Sequence, residues 1–288
     1  MQVLLNALIQ GLILGLISLG FSIVYNSTGI MNIAQGAVYA LIPYMFLFFI
    51  NNSYSITYSI VCSIIVSMFI SGLFELINHW FLYKKNASSQ IHLISSLGIY
   101  ISLVQFITII WGSESQVLTE EISEPYKISN LIFTQPQLLS FIISSLIIVI
   151  FFIWSSKSYL GLKLRALQDN PIQLSLMGHN IKKLRLLVFI LSGFFTSISS
   201  LLNAYDIGFD PQVGLNVILF AIVSTIIGGK GSLFGTVIGS ILLSIIRSQV
   251  SWYIDSKWEN SITFLILVFF LFFRPNGIIS KKGRLETV

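Results

Sequence analysis

Apolar residues fall along this chain in blocks of membrane length, separated by short polar stretches. No charged residue occurs before Glu75, and further uncharged runs cover Asn86–Ser113, Ile128–Ser156, Leu186–Tyr205 and Pro211–Gly229. A helix needs about 20 apolar residues to cross a hydrocarbon core of about 30 Å. The blocks predict helices near 3–25, 33–50, 56–78, 93–111, 138–154, 186–204, 216–228, 231–249 and 260–273. The seventh is short and either spans or folds back into the membrane. The predicted fold class is all-α: a polytopic membrane protein of about eight or nine spans, forming one domain over residues 1–288.

Composition agrees with the pattern. Charged residues make up 9% of the chain, against about 25% in soluble domains. The opening "MQVLLNALIQGLILGLISLG" lacks a basic n-region and a small-residue cleavage site, which predicts a retained first helix. Cys62 is the only cysteine, so disulfide frameworks and cysteine metal sites are excluded. His79, His92 and His179 fall in separate segments without ligand spacing. Neither catalytic nor metal-ligating residues are predicted, and an enzyme is disfavoured.

Where the charges lie changes the picture more than their sum of +5, which alone would invite a nucleic-acid reading. The stretch Lys157–Arg185 holds seven of the 27 charged residues. With the tail "FRPNGIISKKGRLETV" inside, 13 of the 16 basic residues fall on the same side, including Lys84, Lys85 and Lys230. Eight of the 11 acids, among them Glu120, Glu121, Glu124, Asp206 and Glu259, fall on the other. The basic bias orients the chain, with the N-terminus outside and the C-terminus cytoplasmic. Glu75 and Arg247 lie near predicted helix ends, where long side chains snorkel to the interface. No ionisable group is predicted at a helix centre, which weakens an ion-coupled transporter.

Small residues mark helix faces. The first helix carries Gly11, Gly15, Ser18 and Ser22 on one side; Gly231, Gly235 and Gly239 repeat every four residues later on, beside a stripe of Thr236, Ser240 and Ser244. Such stripes let bilayer helices approach closely. Two Gly-rich stretches exceed that need: "NSTGIMNIAQGAVYA" (26–40), with Asn32, Gln35 and Gly36, and "IIGGKGSLFG" (226–235), with Gly228 and Gly229. Paired Gly interruptions in two halves of a chain point to a translocation pathway built from repeats. A nucleotide-binding reading of "GGKGS" fails, because Lys230 is followed by Gly231 and position 224 is Ser.

The polar island, about 155–185, contains a turn at Asp169-Asn170-Pro171, then "IQLSLM", then Gly178. Asn and Asp favour N-caps, Pro the first helical turn, and Gly the position after the last. A short cytoplasmic helix is predicted, in a loop held inside by its bases.

The segment "GLKLRALQDNPIQLSLMGHNIKKLRLLVFILSGFFTSISSLL" resembles the cytoplasmic loop of permease subunits of ATP-binding-cassette importers, above all the branched-chain amino acid group. There the loop reads approximately R-A-x-x-[DE]-[ND]-x-x-A-A-x-x-x-G-[IV]-[ND]. "GLILGLISLGFSIVYNSTGIMNIAQGAVYAL", "IIGGKGSLFGTVIGSILLS" and "FLFFRPNGIIS" fall in the same order, so the resemblance covers almost the whole chain. Its length resembles the shorter of the two permeases in such systems. The resemblance implies a type II-importer-like permease fold in a bacterial inner membrane. It makes Asp169–Gly178 a coupling helix for a separate ATPase, with Asp169, Asn170, Pro171, Gln173 and Gly178 as the docking positions. Asn32, Gln35, Gly36, Gly228 and Gly229 would border the translocation pathway; the family often has His where Gln35 stands. Pro171, Gln173 and Leu174 replace residues often acidic or small in the family, as if the fit were tuned to one ATPase. The implied partners are a second, similar permease, two ATPase subunits carrying ATP and magnesium, a soluble substrate-binding protein and membrane lipid. No cofactor is expected in this chain. Urea and short-amide permeases share these motifs, and an ATP-independent channel would also use uncharged, glycine-rich helices.

Overall fold

The structure, a computed structural model, describes residues 1–118, 126–128, 131–229, 231–274 and 276–279. Among the charges used above, Glu120, Glu121, Glu124, Lys230, Lys281, Lys282 and Arg284 lie outside the described residues. Each apolar block forms a helix. The chain runs through α1 (Gln2–Thr28), α2 (Ala34–Asn51), α3 (Ile56–Leu73), a π-helical turn (Phe74–His79), α4 (Trp80–Lys84) and α5 (Ser89–Trp111). A small antiparallel hairpin follows, β1 (Tyr126–Ile128) and β2 (Leu131–Phe133), in register Tyr126↔Phe133. Next come α6 (Gln135–Lys157), then α7 (Tyr159–Asp169) and α8 (Pro171–Leu176) from the polar island. The chain closes with α9 (Ile181–Asp206), α10 (Val213–Gly228), α11 (Leu233–Tyr253) and α12 (Glu259–Phe273).

Among the described residues, 8 helical segments are long and apolar enough to cross a membrane. α10, with 16 residues, is shorter, about 24 Å at 1.5 Å per residue. The protein is an all-α, multi-pass membrane protein. Outward residues such as Ile65, Phe69, Ile109, Ile142 and Phe272 remain exposed, an apolar surface of the kind that meets lipid. The bundle has two distinct ends. At the hairpin end, Gln2 clasps the backbone of Ile132, donating to its oxygen at 2.6 Å and accepting from its nitrogen at 3.0 Å. At the loop end, beside α7 and α8, Asn26 accepts from the Gly231 N–H at 3.0 Å.

The small-residue stripes decide which helices touch. Gly11 and Gly15 lie against Ile241 and Ser240 of α11, and Ser240 donates to the Gly11 carbonyl at 3.0 Å. Thr236 donates to Ser22 at 2.9 Å, so the Thr-Ser stripe of α11 faces α1. Its glycine stripe faces α10 instead: Gly235 and Gly239 sit on the backbone of Gly228 and Ser224. A third stripe, Ser59, Ser63, Ser67 and Ser71 of α3, is buried, and Ser67 donates to the Gly193 carbonyl of α9 at 2.7 Å. Without water to squeeze helices together, these close backbone approaches supply the packing.

The helix contacts repeat within the chain. α1 packs on α9, α10 and α11, and α9 packs on α1, α2 and α3. α2 packs on α3 and α5, as α10 packs on α11 and α12. Exchanging α1, α2, α3 and α5 for α9, α10, α11 and α12 maps these contacts onto one another, with α11 on α12 as an added contact of the second half, and α6 touches both α1 and α9. α1 starts at the hairpin end, whereas α9 starts at the loop end, so the two halves are inverted.

Candidate functional site

The chain does not turn back at the end of α1 and begin α2 at the same level. Gly29 caps α1 in a left-handed conformation (φ +70), its N–H bonded to the Tyr25 carbonyl at 2.9 Å. The next residues run back into the bundle, so α2 starts beside the middle of α1. There the Gln35 amide donates to Thr196 of α9 at 2.8 Å and to the Ile17 carbonyl of α1 at 3.4 Å. Irregular backbone at membrane depth must be buried in protein or line a cavity. Ser96 of α5 meets that need, accepting from the Ile33 N–H and donating to the Met31 carbonyl, both at 3.2 Å. Asn32 and Gln35 are buried, and their side-chain oxygens have no hydrogen-bond partner among the described residues.

The same retreat occurs in the inverted half. After α9, residues 207–212 carry the chain back past Tyr44, whose ring meets Phe209 edge-on at 4.8 Å between centroids. α10 then starts against α2. Gly36 and Gly214 touch backbone to backbone, and a Cβ on Gly36 would lie 2.6 Å from the Gly214 oxygen. These two glycines occupy the first turns of equivalent helices, so the crossing sits where the inverted halves meet.

Gly228 and Gly229 occupy a different place. Gly228 packs on Gly235, and Gly229 adopts φ +113. The backbone after α12 closes over them, with Ile278 N–H donating to Ile227 at 2.9 Å and Ile279 N–H to Gly228 at 3.0 Å. The structure joins them to the C-terminal segment and to the start of α11. Gly36 instead meets Gly214 in the first turn of α10, a position that no run of glycines announces.

The polar island is a helical hairpin rather than a single short helix. α7 precedes the turn, and Asp169 is its last residue. Asn170 caps α8, accepting from the Ile172 and Gln173 N–H groups at 3.0 Å each, with Pro171 in the first turn. Gly178 follows in a left-handed conformation (φ +82) with open space around it. Leu174 is the buried anchor, in one cluster with Leu164, Leu167 and Leu184. Ile172, Leu176 and Met177 point outward, 73%, 83% and 76% exposed.

Where the π-helical turn meets α9 lies a polar cluster that sequence patterning missed. Glu75 does not snorkel: it is fully buried in the π-helical turn and holds Arg185 through two contacts of 2.6 and 3.2 Å. Arg185 lies near the start of α9, whose cap is Asn180, and its guanidinium rests over Tyr83 at 4.5 Å. His79 and His92, in separate segments of the sequence, meet with their Nδ1 atoms 3.1 Å apart. Arg247 likewise reaches inward, pairing with Glu259 at 2.9 Å and lying 3.8 Å over Phe220. The only forewarning was that Glu75 is a single acid in an otherwise uncharged block.

Inverted halves, two helices that begin inside the bundle and meet at their first turns, and a protruding loop helix define a class: a membrane permease built from repeats. The chain belongs to the family described as "Branched-chain amino acid transport system / permease component", whose model matches residues 3–271. It is 22% identical to the high-affinity branched-chain amino acid transport system permease protein BraD of Pseudomonas aeruginosa, over 98% of this chain and 96% of that one. It is 26% identical to the probable branched-chain amino acid transport permease protein LivH of Methanocaldococcus jannaschii, over 96% and 91%. A chain of the solved structure of PsaBC from Streptococcus pneumoniae in complex with Fab shares the fold, with a TM-score of 0.52 at 14% identity, covering 99% of this chain and 94% of that one. The protein is a transport permease component, not an enzyme.

Proposed function

We propose that this chain is the permease subunit of an ATP-driven importer for branched-chain or similarly apolar amino acids, in a bacterial inner membrane. The observation that carries the reading is α8. It is a stiff, capped helix that buries Leu174 and offers Ile172, Leu176 and Met177 outward, although apolar side chains so exposed gain nothing in water. An ATPase subunit with a matching groove would cover them. In this reading the loop end is cytoplasmic and the hairpin end outside, as the basic residues favour. Asp169, Asn170, Pro171, Gln173 and Gly178 shape the docking surface. A second permease, two ATPase subunits bearing ATP and magnesium, and a soluble substrate-binding protein complete the complex. The named relatives are branched-chain amino acid permeases, which supports the solute class.

The crossing at Gly36 and Gly214, with Asn32 and Gln35 beside it, forms this chain's part of the route. Two inverted halves meeting there are suited to rocking between two arrangements. Gly228 and Gly229 contribute by locking the loop end rather than by touching solute. The test is uptake into vesicles holding the assembled complex, comparing leucine, urea and ribose. Leucine uptake that requires ATP supports the reading; uptake of urea alone, or flux without ATP, removes it.

A further inference from the structure

Beside the α2–α10 crossing, toward the hairpin end, lies a partly open cavity of about 290 Å³ lined by helices of both inverted halves. Its walls differ in chemistry. Ile13, Leu14, Val213 and Val217 form an apolar side. Gln10 and Arg247 stand among its polar residues, one from α1 and one from α11. Arg247 gives one nitrogen to Glu259 at 2.9 Å, while its Nε is buried without an acceptor among the described residues. Gln10 donates to the Asp206 carboxylate at 2.9 Å, so a negative charge stands behind that lining amide. The cavity is therefore lined by a guanidinium with an unused donor, by the Gln10 amide, which the Asp206 carboxylate backs from outside the lining, and by aliphatic side chains.

We infer that this cavity binds an apolar α-amino acid as its zwitterion. The Arg247 guanidinium takes the carboxylate, the Gln10–Asp206 pair takes the ammonium, and Ile13, Leu14, Val213 and Val217 receive the side chain. A carboxylate beside Arg247 forms the charge-assisted bond that its Nε lacks. A zwitterion brings both charges to partners and adds no net charge to a low-dielectric site. A ligand carrying only one of them leaves the other partner unanswered. The inference rests on the importer reading, and it adds a selective site within the permease itself, separate from any soluble binding protein.

Equilibrium binding of radiolabelled leucine to the assembled transporter, without its soluble binding protein, tests this. Saturable binding is expected, with leucinamide (no carboxylate) and 4-methylvalerate (no ammonium) competing at least about tenfold more weakly than leucine, as loss of a charge-assisted bond implies. Arg247→Gln should weaken leucine binding about tenfold while leaving the weak competition by leucinamide unchanged, and Arg247→Lys should restore part of the loss. Val217→Trp, which fills the cavity without touching a charge, should abolish binding even if Arg247→Gln fails to fold. The inference is overturned if a complex that imports leucine with ATP shows no saturable leucine binding, or if Val217→Trp binds normally. A complex that imports no amino acid at all overturns the importer reading, and the inference with it.

Discussion

Arg185 and Glu75 illustrate how much rests on single side chains in so apolar a bundle. Both are buried, and each is the other's ionic partner. Removing one member of a buried pair leaves an uncompensated charge, so Glu75→Gln should cost about 3–5 kcal/mol. The double replacement Glu75→Leu with Arg185→Met should recover most of that loss. Thermal unfolding of the purified protein in detergent checks both, and a double variant no better than the single one would contradict the pairing. The glycines at the crossing are a second residue-scale constraint. With the Gly214 oxygen 2.6 Å from where a Gly36 Cβ would stand, Gly36→Val must push α2 and α10 apart. We expect it to abolish uptake, whereas Gly98→Val, at a position with open space, should be tolerated. None of these partnerships was legible in the sequence. Periodicity tells which face a residue occupies, but Glu75 and Arg185 lie 110 positions apart, and nothing local links them.

At the scale of elements, legibility follows length and chemistry. The long apolar blocks were readable because a membrane span states its own requirement. α8 was readable too, because Asn170, Pro171 and Gly178 are backbone-specific residues at a helix start and stop. α7 was not foreseen: its basic residues served as a topology signal and hid a helical face formed by Leu164 and Leu167. The start of α2 inside the bundle was half legible: Gly29, Asn32 and Gly36 marked an interruption, but its depth depends on Ser96 and Thr196 from distant helices. The function proposed for α8 gives a prediction at this scale. Asn170→Ala removes the cap, at a cost of about 1 kcal/mol to the helix. Gly178→Arg forces a side chain into a left-handed position, costing about 1–3 kcal/mol. Both should reduce co-purification of the ATPase while the permease remains folded. Met177→Glu should do so without local strain, since Met177 is exposed and uses no special backbone conformation. Normal ATPase recovery with all three would remove α8 as the docking element.

For the whole molecule, the inverted halves and the charge map make one claim about direction. On the proposed orientation, Ser175 in α8 faces the cytoplasm and Ser115, between α5 and the hairpin, faces outside; both are exposed. Because Cys62 is the only cysteine, Cys62→Ser gives a clean background. A cysteine at Ser115 should react with an impermeant maleimide in intact cells, and one at Ser175 only after lysis. The reverse labelling would invert the topology and move α8 away from any cytoplasmic ATPase. The central claim is that docking at α8 is converted into movement of an apolar amino acid through the bundle. Its most direct test is leucine uptake by proteoliposomes containing the full complex, with and without ATP on the α8 side, for the unaltered chain and for Met177→Glu. The account predicts ATP-dependent accumulation against a gradient that Met177→Glu abolishes; equal leucine flux without ATP, or unchanged accumulation by Met177→Glu, would contradict it.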